Sequence, residues 1–378
     1  MALTGKIARI DLASGRIQTR PVTPELRAAF LGGNGIGGYL QYVLSQAQAE
    51  SAEESASLWI DAGLLSGTPA PDADRVVVTA RSAAARFVES HLLKGFFGPE
   101  LRFAGFDHVI VEGRAPSPVF LWLNDGRIQI REAADMWLDT PNQVRRRIRD
   151  RMMAEDACVM AMGTDGPIHD HEAAAGGGCA SPGDGLAAAM GALNLKAVAV
   201  RGTRAIAIAD PQSAIETLRH IMGQRQVRAD EVGAEEIEWL EDRMPAAVAS
   251  ESAGRVLDAL GIAQKGLRLQ ADDEQQEQIY TLFRAVTGLT YSQKDLLKAG
   301  ERATNVERLL NLKAGYRRRD EPYHNALLGC RGAMDRVSDE RLFDRVLDRY
   351  YAVHGWDRQG RPSRATLKRL GLDRELAI

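Results

Sequence analysis

The sequence predicts an α+β chain, sheet-rich towards its amino end and helical towards its carboxy end. Up to Asp210, short apolar or alternating runs recur between turn signals, with few helical stretches among them. Beyond Ile279, apolar residues return at helical spacing, as in Val306, Leu309 and Leu310. Between these regions acidic residues outnumber basic ones thirteen to four from Asp230 to Glu277, which reads as a helical bridge with an exposed acidic face. The boundaries that follow are 1–210 for the sheet-rich domain, 211–275 for the bridge and 276–378 for the helical domain.

Composition supports globular domains, with 45% hydrophobic and 26% charged residues over 378. No apolar run reaches the roughly 18 residues that would span a bilayer, and the first residues lack the layout of a signal peptide. The expectation is a cytoplasmic protein without a membrane partner. A net charge of -3 gives no reason to expect nucleic acid as a partner. Cys158, Cys179 and Cys330 are the three cysteines, and none forms a CxxC pair. Isolated cysteines are usually small buried apolar residues.

In order, Lys6 to Leu12 and Arg16 to Val22 read as a hairpin about Ala13-Ser14-Gly15. Thr23 before Pro24-Glu25 starts a helix, with a hydroxyl cap, proline at the first position and an acidic first turn. Gly33-Asn34-Gly35-Ile36-Gly37-Gly38 satisfies GxGxxG, yet a helix precedes it where a dinucleotide site needs a strand. It is expected to be a corner before a helix from Tyr39 to Gln48. Leu58 to Leu65 and Val76 to Thr79 read as strands, separated by a proline-bearing loop. Strands also follow at Val109–Glu112, Val119–Leu123 and Ile128–Ile130, the last two joined by the turn Asn124-Asp125-Gly126. Pro141 to Met153 is a helix bearing five arginines, either a solvated face or a phosphate site. Val159 to Met162 is a short buried strand. His169-Asp170-His171-Glu172 is a polar loop, or two imidazoles on one side of an extended metal site that lacks an evident third ligand. Ala173 to Gly185 is glycine-rich and leads into a helix whose first N–H groups could hold an anion.

The run Gly95-Phe96-Phe97-Gly98-Pro99-Glu100-Leu101-Arg102-Phe103-Ala104-Gly105-Phe106-Asp107-His108-Val109-Ile110-Val111-Glu112-Gly113 is by pattern a helix-to-strand corner with backbone brought close to something bulky. With Gly5 to Leu12, Gly63 to Pro71 and Met190 to Val200, in that order, it resembles the amino-terminal domain of the tungsten-dependent aldehyde ferredoxin oxidoreductase family. Leu282 to Ser292 and Gly300 to Gly315 resemble the family's carboxy-terminal helical domain. The resemblance implies a sheet platform on which a tungsten- or molybdenum-pterin lies, with Arg75, Gly95, Gly98, Gly183 and Gly185 as cofactor contacts. No catalytic or metal-ligating residue carries over.

The differences from the family point the other way. Leu92 stands where the family has a polar asparagine, and Asp184 adds negative charge where a phosphate would sit. The family's CxxCxxxC run is missing, and three scattered cysteines cannot supply the four thiolates of an ordinary iron-sulfur cluster. No such cluster is expected. The chain thus reads as a non-catalytic relative that binds cofactor or serves as a subunit, partnered by a full-length family member or an electron-transfer protein. The alternative is a reduced oxidoreductase that oxidises an aldehyde using a partner's cluster. Because both ends keep apolar stripes that would aggregate if exposed, they are expected to fold against each other.

Overall fold

The computed structural model describes residues 5–47, 56–81, 89–163, 167–168, 184–224, 239–262, 273–321 and 340–374. The first sheet holds β1 (Lys6–Asp11), β2 (Arg16–Pro21), β3 (Ser57–Ala62), β4 (Arg75–Arg81), β5 (Glu89–Lys94) and β6 (His108–Glu112) in the order β2-β1-β6-β3-β4-β5. Among the described strands of this sheet, only β1 and β6 run parallel. The second sheet holds β7 (Val119–Asn124), β8 (Arg127–Glu132), β9 (Cys158–Met162), β10 (Pro167–Ile168) and β11 (Leu195–Arg201) in the order β10-β9-β11-β7-β8.

The period-two alternation of the strands builds the layers. Ala8, Ile10, Leu58, Ile60, Val76 and Val78 face inward from the first sheet, and Leu121, Leu123, Met160, Val198 and Val200 face inward from the second. Between the sheets lie α3 (Phe97–Phe103), through Phe97 and Leu101, and the helix Asp184–Ala192 (α5), through Leu186, Ala189 and Met190. The opposite face of the second sheet, with Phe120, Trp122 and Val159, is covered by Val144 and Ile148 of α4 (Pro141–Met152).

The outer face of the first sheet, at Ile7, Trp59 and Ile110, packs on α1 (Pro24–Phe30) and α2 (Gly33–Ala47). Thr23 caps α1 as expected, its hydroxyl accepting from the Leu26 N–H at 3.2 Å. The glycine run is no loop, however: α2 begins at Gly33. A Cβ at Gly37 would fall 2.0 Å from the Asp61 carboxylate, and one at Gly33 would fall 2.7 Å from the Asp258 carbonyl. The glycines therefore line a helix face pressed against its neighbours.

The helices that follow are α6 (Pro211–Gln224), α7 (Trp239–Leu260), α8 (Asp273–Thr287), α9 (Gln293–Lys313), α10 (Glu340–His354) and α11 (Arg364–Leu370). Their largest core joins Val256, Leu257 and Leu260 of α7 and Phe283 of α8 to Leu31, Leu64 and Leu65 of the amino-terminal region. Val306 and Leu310 of α9 complete the core above Trp59. The two ends of the chain thus bury apolar surface in common, as the exposed-stripe argument expects. In the acidic stretch, α7 turns Val256, Leu257 and Leu260 inward and so contributes core as well as charge.

Candidate functional site

The site forms where the end of α7 meets the turn after β3. Gly261 closes α7 in the left-handed region at φ 78°, with Gly261 N–H donating to Asp258 O at 3.1 Å and Ile262 N–H to Leu257 O at 2.9 Å. The preceding carbonyls stay free to accept from the platform. Leu64 N–H reaches Ala259 O at 3.0 Å, and Leu65 N–H reaches Leu260 O at 2.8 Å. Arg75 N–H then donates to Gly261 O at 3.3 Å, while the Ser66 hydroxyl donates to Arg75 O at 2.8 Å. Only glycine fits on either side, since a Cβ at Gly63 would fall 2.2 Å from Gly261 Cα.

This docking gathers Asp74, Arg75 and Asp258. Each has a buried polar atom without a hydrogen-bond partner among the described residues: Asp74 Oδ1, Arg75 Nε and Asp258 Oδ1. Leaving such atoms unmet costs roughly 1–3 kcal/mol apiece, and Arg75 lies close enough to both carboxylates to act on each. Burial pushes the Asp258 carboxyl up, against the pull of Arg255 and Arg75. Asp258 also sits in the last turn of a helix, where the backbone dipole opposes negative charge. Burial raises the Asp74 carboxyl too, opposed by Lys94 and Arg75.

Of the expected contacts, Arg75, Gly95 and Gly98 come together. Arg75 pairs with Lys94 across β4 and β5, and Gly95 follows at φ 121° with its N–H on Asp74 O at 2.9 Å. Gly98 plays a packing part, because its Cβ would fall 2.8 Å from the Arg75 carbonyl. Gly185 lies in the first turn of α5, and Gly183 lies outside the described residues. Leu92 and Phe96 are exposed beside this corner, Phe96 by 62%. The missed member is Asp258, one of thirteen acidic residues in its stretch. Its signal in the sequence is weak: a carboxylate placed against the helix dipole and followed by a closing glycine.

Elsewhere Asp61 also leaves a buried Oδ2 without a hydrogen-bond partner among the described residues, while Asp107 and Lys196 are matched internally. Asp107 lies between Arg27, at 2.7 Å, and Arg102, at 3.3 Å. Burial alone would raise its carboxyl, but Arg102 and Arg27 hold it down at about 2. Lys196, 1% exposed, gives its three protons to the carbonyls of Trp137, Asp139 and Met162 at 2.8–2.9 Å. Most arginines of α4 are tied locally: Arg147 to Asp135 and Asp139, Arg151 to Asp135, and Arg149 to the Ala157 carbonyl. That favours the solvated-face reading of this helix.

Cys158 is buried in β9, while Cys179, Cys330 and the pair His169 and His171 lie outside the described residues. Among the described residues no three His, Cys, Asp or Glu side chains are grouped to hold a metal ion. No described helix is long and apolar enough to cross a membrane.

Residues 7–202 match the family described as aldehyde ferredoxin oxidoreductase, N-terminal domain, and residues 170–372 match its domains 2 and 3. The chain belongs to the aldehyde ferredoxin oxidoreductase family. It is 32% identical over 223 residues to the tungsten-containing aldehyde ferredoxin oxidoreductase of Pyrococcus furiosus, an alignment covering 57% of this chain and 36% of that enzyme. The Pyrococcus horikoshii enzyme is 31% identical over 217 residues, again covering 57% and 36%. The WOR-like subunit of an aliphatic sulfonate oxidoreductase from Pyrococcus furiosus is 25% identical over 225 residues, covering 53% and 35%. The alignments thus span little more than a third of these relatives' length. Among solved structures, the active site complex BamBC of benzoyl coenzyme A reductase with 1,5-dienoyl-CoA matches with a TM-score of 0.77 at 16% identity, covering 98% of this chain and 97% of that one. That likeness speaks for the fold.

Proposed function

We propose that this family member is a cofactor-binding subunit of an oxidoreductase complex that does not complete a redox turnover by itself. The observation that carries the reading is the seam between β4 and the end of α7, where Arg75 Nε, Asp74 Oδ1 and Asp258 Oδ1 are buried without partners. Two acceptors beside a guanidinium suit a ligand that combines amine donors with an anionic group, as a pterin carrying a phosphate does. The residues present therefore fit that class of group. Asp74 and Asp258 would accept from the ring amines, and Arg75 would hold the anion.

When bound, a metal-pterin supplies the two-electron chemistry of an oxidoreductase. The chain's own contribution would be to hold it through Arg75, Asp74 and Asp258. Passing electrons onward falls to a partner, because three cysteines cannot form a four-thiolate cluster site. One relative is, by its description, part of a larger assembly: the WOR-like subunit of an aliphatic sulfonate oxidoreductase. It supports the subunit part of the reading.

The test is pterin fluorescence and elemental analysis of protein purified without oxygen from its native host, for wild type, Arg75→Ala, Asp258→Asn and Asp184→Gly. Arg75→Ala and Asp258→Asn should each lower retention about tenfold to a hundredfold, as loss of a charge-assisted hydrogen bond does, and Asp184→Gly should raise it. Absence of pterin from all four proteins would remove the cofactor role. Tight retention unaffected by any change would put the site elsewhere.

A further inference from the structure

The far side of the sandwich carries a second feature. β2 ends the first sheet and β8 ends the second, so each leaves one row of backbone groups unpaired among the described strands. An open groove of roughly 730 Å³ runs between them, lined by Ile17 of β2, Ile128 and Ile130 of β8, Leu12 and Val119, and also by Gln129 and Arg131. The three isoleucines are only partly buried although they pack against the main core. The opposite alternation of each strand is the same: Arg16, Gln18 and Arg20 on β2, and Arg127, Gln129 and Arg131 on β8.

Arg16 lies beside Asp11, but the other three arginines have little to neutralise them. Arg20 lies beside the like charge of Arg9, which is itself paired with Glu112. Arg131 Nε donates only to its neighbour Gln129, at 2.9 Å. Among the described residues no carboxylate pairs with Arg20, Arg127 or Arg131. Positive residues along an edge also deter unwanted pairing. That role leaves the apolar floor of the groove unexplained.

Resting on the subunit reading above, we infer that this groove is the docking site for an extended strand of a partner subunit, which adds to the free edge of β8. Strand addition satisfies the backbone groups of β8, and period two then dictates the partner's chemistry. Its inward residues must be apolar to lie over Ile17, Ile128 and Ile130. Its outward residues must be acidic opposite Arg127 and Arg131, with a neutral polar residue opposite Gln129. The partner strand thus reads acidic, apolar, polar, apolar, acidic.

The probe is the labelled peptide Ser-Glu-Val-Thr-Val-Glu-Ser, compared with the same peptide carrying lysines for glutamates. Both are titrated to millimolar concentration against the whole chain, with amide hydrogen exchange of β8 as a second readout. The acidic peptide should bind about tenfold more tightly and slow exchange at Ile128 to Glu132. The double variant Arg127→Glu/Arg131→Glu, with melting temperature checked against wild type, should reverse that preference. Equal affinities, a preference that survives the reversal, or no slowing in β8 would overturn the inference. Pterin retention, measured on the same samples, separates the two readings. Pterin held without peptide binding removes the docking strand, whereas peptide bound without pterin removes the cofactor role and leaves the groove.

Discussion

Asp107 shows how buried charges in this chain act on stability. Its carboxyl is 5% exposed, and with Arg27 and Arg102 around it the folded value is about 2, against an ordinary 3.8. A folded value below the unfolded one means that the group stabilises fully above pH ~4 and that this stability is lost as pH falls towards ~2. The shift corresponds to on the order of 2 kcal/mol. Urea unfolding of wild type should therefore weaken by about that much across the window, and Asp107→Asn should flatten the slope there. An identical slope in the variant would show that other carboxylates carry the acid sensitivity. Single residues were unevenly legible in the sequence. Gly98 could be flagged as a glycine where backbone comes close, but not that the Arg75 carbonyl is one of the groups it approaches. Asp258 was hidden because its significance comes from a tertiary contact with β4 and not from its neighbours in sequence.

At the scale of elements, the junction of α7 with the turn after β3 is the most constrained. Gly261 has φ 78°, and a Cβ there would fall 2.4 Å from Ser66 Oγ and 3.2 Å from Arg75 O. Gly261→Ala combines a left-handed penalty of roughly 1–2 kcal/mol with overpacking of roughly 1–3 kcal/mol. It should lower stability by about 2–5 kcal/mol in urea unfolding and reduce pterin retention with it. A change of less than ~0.5 kcal/mol would mean that the junction yields easily and does not hold the site. Elements with strong local signals were legible: the Thr23 cap, the Asn124-Asp125-Gly126 hairpin and the apolar stripe of α9. β5 was missed because Glu89-Ser90-His91-Leu92-Leu93-Lys94 lacks β-branched residues and alternation, and its strand form comes from pairing with β4. The start of α2 was missed for the converse reason. Glycine disfavours a helix locally, but close packing against Asp61 and α7 requires it there.

For the whole molecule, cooperativity follows from where the cores lie. One core holds Leu31, Leu64 and Leu65 together with Leu257, Leu260 and Phe283, and another holds Trp59 and Phe30 with Val306 and Leu310. A polar tie crosses the same boundary: Arg302, anchored in its own half by Nε on Leu370 O at 2.7 Å, donates from Nη1 to Ala29 O at 3.1 Å. Burying each such aliphatic or aromatic side chain is worth roughly 1.5–3 kcal/mol. Separating the ends therefore forfeits more than a domain's typical net stability of about 5–15 kcal/mol can absorb. The full chain should melt in one transition, with fluorescence and circular dichroism coinciding. Fragments 1–210 and 276–378, made separately, should aggregate or melt without cooperativity, because each exposes its part of the shared cores and both lack Leu257 and Leu260. Were both fragments monomeric and sharply cooperative, the sheet platform and the helices would be independent units. In that case the seam holding Arg75 and Asp258 would be a surface contact, too weak to keep three polar atoms buried for a ligand.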